Sequence, residues 1–135
     1  VHEDAAAHQD PVRLGHHAGD PAGVEILAAQ EVVHLRREDP YRIDRMMSTL
    51  QLNGTLDKIK GFIFGQCSDC KPGGGYGAFT VDQIMDQYIL PLGIPAYIGA
   101  MIGHIPRQFI VPVGAKVSMN ADLGTFTLLE SVFQN

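Results

Sequence analysis

From residue 38 onward, apolar and polar positions fall into short regular periods divided by turn residues. Asp39 followed by Pro40 pairs a good N-cap residue with a proline suited to the first helical turn. Ile43, Met46, Met47 and Leu50 recur at i, i+3, i+4 and i+7, which predicts a helix near 40–53 with one buried face. Asn53-Gly54 closes that helix. "IKGFIFG" reads as a short strand, apolar on both faces from Phe62 to Phe64, as an interior strand of a covered sheet is. The glycine-rich "SDCKPGGGYGAF" specifies a loop.

Thr80 with Gln83 forms a capping box for a second helix near 80–90, carrying Val81, Ile84, Met85, Tyr88 and Ile89, and Pro91 ends it. "IPAYIGA" is a strand. After His104 come "QFIVPVG", "AKVSMN" and "TFTLLES"; the last two alternate and flank "ADLG", which predicts a hairpin. The expected fold class is α/β, a mixed sheet with a βαβ unit and a C-terminal antiparallel hairpin.

Residues 1–37 are compositionally different, holding five of the six histidines among scattered Gly and Pro. Only "VEILAAQEVVHLRR" has an apolar run there, with a poor period, so 1–37 is read as an irregular segment and 38–135 as the domain. The first 22 or so residues are expected to be mobile or irregular. His2, His8, His16 and His17 lie in this tract, which offers no fixed ligand geometry, and no metal or cofactor is expected.

Composition narrows the classes further. A chain of 135 residues, 45% apolar and 19% charged, has room for one domain with a core. A net charge of −5 gives no reason to expect nucleic acid or an anionic membrane as partner. No apolar stretch approaches the roughly 18 residues of a membrane span. The acidic, polar start is not that of a signal peptide, and Val1 in place of methionine points to a piece of a longer chain. Cys67 and Cys70 suggest no disulfide framework, and a reducing cytoplasm is the expected compartment.

The candidate chemistry centres on His104, at the seam of two apolar runs in "IGAMIGHIPRQFIVPVG". A histidine so placed is commonly a core or rim residue. Here it follows a strand end, where sites gather in open α/β sheets, and Gly103 and Pro106 bracket it. A general base needs such placement and a proton affinity near neutrality. Its nucleophile is not evident. Ser48, Ser68, Ser118 and Ser131 all lack the G-x-S-x-G elbow that exposes a reactive serine. Cys67 and Cys70 have the spacing of zinc or redox pairs, but zinc needs two more ligands and a redox pair usually opens a helix, so they read as loop residues.

The stretches "EDPYRIDRMMSTLQLNGTLDKIKGFIFGQCSDC" and "LGIPAYIGAMIGHIPRQFIVPVGAKVSMNADLGTFTLLE" resemble the C-terminal domain of the LD-carboxypeptidase family. These serine peptidases include the microcin C self-immunity proteins. The likeness runs from about Glu38 to Glu130, carried by the "PYRIDRM" helix, the G-xxx-G-xxx-DC strand and loop, and the GIP-xxx-G-xxx-GH segment. It implies a two-domain peptidase whose N-terminal domain holds the serine and oxyanion hole. The C-terminal domain supplies a glutamate and a histidine, and the histidine matches His104. The implied reaction cleaves the amide before the terminal D-alanine of murein tetrapeptides, in a cytoplasmic enzyme that is commonly a homodimer.

Two features depart from that family. Nothing in residues 1–37 resembles the serine-bearing domain. The glutamate belongs about six residues before "PY", where this chain has His34. Glu31 stands three residues early and is the candidate carboxylate, whereas Glu38 matches a second acidic position near the helix cap. The codons of His34 to Arg37, read one nucleotide later, can encode Ile-Phe-Glu and the first two bases of an acidic codon, so a frame slip would account for the change. Two functions stand at this point: the base-bearing half of a carboxypeptidase, inactive alone for want of its serine, or a non-catalytic fragment or binding module of the same fold.

Overall fold

The computed structural model describes residues 12–13, 24–27, 38–74, 77–103 and 105–131. Among these the chain forms β1 (Val12–Arg13), β2 (Val24–Leu27), α1 (Pro40–Leu52), β3 (Phe62–Gly65), α2 (Val81–Ile89), β4 (Ala96–Ala100), β5 (Lys116–Asn120) and β6 (Thr125–Leu128). A single 3-10 turn, Leu90–Leu92, joins α2 to the approach of β4.

Both helices start where the sequence places them, by different means. At α2 the capping box is complete: Gln83 N donates to Thr80 Oγ1 at 3.2 Å, and Thr80 N donates to Gln83 Oε1 at 2.9 Å. At α1 the Asp39 side chain makes no capping bond. Pro40 opens the helix there, Arg42 N donates to Asp39 O at 2.8 Å, and Arg42 pairs with Glu38 at 3.5 Å. Ile43 and Met47 on α1 and Ile84, Met85, Tyr88 and Ile89 on α2 are buried together, and Tyr88 OH donates to Asp44 Oδ1 at 2.9 Å across the pair. Each fully buried isoleucine here contributes about 1.5–3 kcal/mol through apolar area removed from water.

Strand β4 organises the layers. It pairs in parallel with β3 through the β3–α2–β4 crossover, and antiparallel with β1 on its other side. Ala96 and Ile98 join the helix cluster, while Tyr97 and Ala100 pack on the opposite face with Met119 of β5. This alternation is that of a strand covered on both sides. The second sheet, in the order β2-β5-β6, contains the expected hairpin, with Asn120 opposite Thr125. The result is a helix layer, a mixed sheet and a hairpin sheet, the α/β class expected from the sequence.

Three local expectations need correction. Among the described residues the interior strand is β4, and β3 lies at the edge of its sheet with every residue half-buried. The "QFIVPVG" stretch forms no strand: Pro112 cannot donate to a ladder, and Ile110 and Val113 are exposed. Within the segment read as irregular, Val12–Arg13 and Val24–Leu27 pair with β4 and β5. Elements of two and four residues are too short to show a period, and the sheets that recruit them are distant in sequence. The remainder of residues 1–37 lies outside the described residues.

Burial raises the pKa of the Tyr97 phenol to about 12, and burial together with the Asp44 hydrogen bond raises that of Tyr88. A raised value means that the folded state holds its proton after the unfolded chain has lost it. The stabilisation is therefore full below about pH 10 and disappears as pH climbs through the folded values. We expect the urea midpoint to fall between pH 9.5 and 12, with Tyr97 accounting for about 1–2 kcal/mol. The tyrosinate absorbance of Tyr88 and Tyr97 should rise late. A midpoint independent of pH over this range would contradict the burial of both phenols.

Candidate functional site

Because β3 and β4 are parallel, their carboxyl ends lie side by side, the position where open α/β sheets place ligands. The ladder shifts register between Phe64 and Gly65, and Gly65 comes opposite Ala100. Beyond it, Gln66 N donates to Ala100 O at 3.2 Å and to Ile102 O at 3.1 Å. Ile102 N turns back to Ala100 O at 2.7 Å, and the Gln66 side-chain amide approaches Gly99 O at 3.5 Å. Downstream, Ile105 N donates to Gly103 O at 3.1 Å and Phe109 N to Met101 O at 2.8 Å. A loop of nine residues, 101–109, is thereby closed at its base.

Two glycines make this closure possible. A Cβ at Gly65 would overlap the Ile102 carbonyl and lie 2.8 Å from Ile102 Cγ1. A Cβ at Gly103 would lie 2.9 Å from Gln66 O, and Gly103 has φ +113°, a conformation that residues with a side chain rarely adopt. The sequence had marked Gly103 as a bracket of His104. Gly65 had entered only as the second glycine of the G-xxx-G-xxx-DC stretch, without a structural role, and Gln66 not at all; the signal is a glycine at the last position of a strand that leads into a close backbone approach.

His104 and Glu31, the two candidate catalytic residues, lie outside the described residues. What is described is the frame around the histidine: Gly103 and Ile105 on either side, and the 101–109 closure. Glu38 is engaged with Arg42 at the start of α1. Ser48 lies within α1 and Ser118 within β5, while Ser68 lies in the turn after β3 and Ser131 beyond β6. Ser68 lies in the long β3–α2 connection, residues 66–80, and none of the four stands at a tight strand-to-helix elbow. Among the described residues, no three His, Cys, Asp or Glu side chains converge as a metal site.

The cysteines overturn one expectation. Cys67 and Cys70, read as plain loop residues, are joined as a disulfide with their Cα atoms 5.6 Å apart. The turn between them reverses sharply at Asp69, the one non-glycine residue with positive φ among those described, at 59°. That turn brings the two Cα atoms within bonding range, which a C-x-x-C spacing alone does not disclose.

Comparison with known proteins agrees with this geometry. The LD-carboxypeptidase C-terminal domain matches residues 16–119. A Synechocystis sp. protein assigned as a carboxypeptidase is 35% identical over 104 residues, 77% of this chain and 33% of that protein. A Bacillus subtilis protein assigned as a murein peptide carboxypeptidase is 36% identical over 83 residues, 62% of this chain and 26% of that protein. The crystal structure of muramoyltetrapeptide carboxypeptidase from Oxalobacter formigenes superposes with a TM-score of 0.61 at 27% identity, covering 71% of this chain and 34% of that one. The chain thus spans about a third or less of the length of the curated relatives it matches. With the matched domain covering most of its length, this chain belongs to the LD-carboxypeptidase family and carries that family's C-terminal domain.

Proposed function

We propose that the chain is the histidine-bearing half of a serine LD-carboxypeptidase that hydrolyses the amide before the terminal D-alanine of murein tetrapeptides. The observation that carries this reading is the family match across residues 16–119, which includes His104 and the strand ends leading to it. The murein peptide carboxypeptidase among its relatives favours a peptidoglycan peptide as substrate.

In this reading His104 is the general base. It takes the proton from a serine carried by the N-terminal domain as the serine oxygen attacks the scissile carbonyl, and returns it to the departing D-alanine amine. Water then attacks the acyl-enzyme with the same histidine as base. A carboxylate on the far ring nitrogen orients the imidazole; Glu31 is the candidate in this chain, and a glutamate at position 34 is the family's arrangement. The closed 101–109 loop supports the role, because a base must be held in direction before its partner arrives. A cytoplasmic location and a homodimer belong to the same reading.

Release of D-alanine from murein tetrapeptide tests it. The 135-residue chain alone is expected to give no turnover above background, since none of its four serines sits in the G-x-S-x-G elbow of a reactive nucleophile. Fusion to a serine-bearing N-terminal domain, with His34→Glu, should restore release. Turnover by the chain alone that disappears with Ser68→Ala would overturn the proposal, as would a folded fusion without activity.

A further inference from the structure

The Cys67–Cys70 disulfide has no part in the chemistry above. It sits one residue beyond Gln66, whose backbone N–H is shared between the carbonyls of Ala100 and Ile102. We propose that Cys67 and Cys70 are a reversible thiol–disulfide exchange site whose state sets the hold of Gln66 on the segment leading into residue 104.

Four features carry this. The bond spans only two intervening residues, so it removes little chain entropy from the unfolded state and acts mainly on its own turn. That turn passes through Asp69 at φ 59°, a conformation the closed ring holds. Both cysteines are half-buried against the edge of the helix cluster, with exposed residues Asp69 and Lys71 next to Cys70 in the chain, so a small thiol reagent has access. Cys70 Sγ also lies 3.7 Å from Ser68 O, where a released thiol has an acceptor.

The exchange is balanced with a dithiol as reductant. One reagent thiolate attacks a protein sulfur, the protein S–S bond breaks, and a mixed disulfide forms. The reagent's second thiol displaces it and leaves as the cyclic disulfide. Two electrons and two protons end on Cys67 and Cys70. With the ring open, the 67–70 turn relaxes toward the glycines of 73–74, and Gln66 loses the covalent anchor behind it. The helices, fixed by their own core, are unaffected.

The test compares the full 135-residue chain before and after dithiothreitol, without reference to peptidase activity. Differential alkylation with mass spectrometry should show two thiols gained on reduction and lost again with oxidised glutathione once the dithiothreitol is removed. Amide exchange at Gln66, Ile102 and Phe109 should quicken about tenfold or more on reduction, while Tyr88 and Ile89 in α2 stay unchanged. The double variant Cys67→Ser, Cys70→Ser should match the reduced protein and ignore dithiothreitol. If that variant fails to fold, the comparison on the unaltered chain decides. Exchange rates at 66 and 102 that are the same in both states would overturn the proposal, as would thiols that never re-form the bond.

Discussion

Replacing Gly103 with alanine is expected to destabilise the domain by about 3 kcal/mol and to lower Tm on the order of 10 °C or more. Two costs coincide there. The backbone sits at φ +113°, outside the region that a residue with a Cβ occupies at ease, and the new Cβ would lie 2.9 Å from the Gln66 carbonyl oxygen. That obstacle is backbone already engaged at the end of β3, so it cannot swing aside as a side chain would. Moving it means breaking the paired bonds from Gln66 N to Ala100 and Ile102. Gly73→Ala supplies the control, because nothing lies within 4 Å of its added Cβ, and it should be neutral. Equal Tm values for the two variants would mean that the 101–109 loop is not clamped against β3.

The contrast between these two glycines shows what was legible in the sequence. Helices, the βαβ unit and the hairpin rest on local periods and caps, such as Thr80 with Gln83 and the alternation of "KVSMN", and these were readable directly. The order of strands was not. Phe62-Ile63-Phe64 has the composition of an interior strand, yet β4 takes the centre because a two-residue strand from far upstream pairs with its other side. The Cys67–Cys70 bond was hidden for a similar reason: the two cysteines are visible, but their closure depends on the turn at Asp69. Gly103 was singled out for the histidine beside it. Its closer partner is the backbone of Gln66, which only the fold brings near.

The largest effect expected on activity is at His104. In an enzyme completed with a serine-bearing domain and a glutamate at position 34, His104→Ala should lower kcat by about 10³-fold or more. KM should change little, because in the proposed role the imidazole moves a proton in the transition state and is not asked to bind the peptide. The expectation rests on the described residues that flank position 104 in the chain: β4 ends just upstream, Phe109 N donates to Met101 O at 2.8 Å, and Gln66 N donates to Ile102 O at 3.1 Å. A rim histidine in that loop would be indifferent to the reaction. A base held there for a serine on another domain would not, and its loss should strip away most of the gain that the serine itself provides, since members of a triad act as a unit. His104→Gln separates the two further, as it keeps polarity and much of the volume but cannot shuttle the proton, and it should be as inactive as alanine. If either variant of the completed enzyme keeps near-full kcat, residue 104 is an ordinary rim histidine, and the base must be sought elsewhere along the ends of β3 and β4.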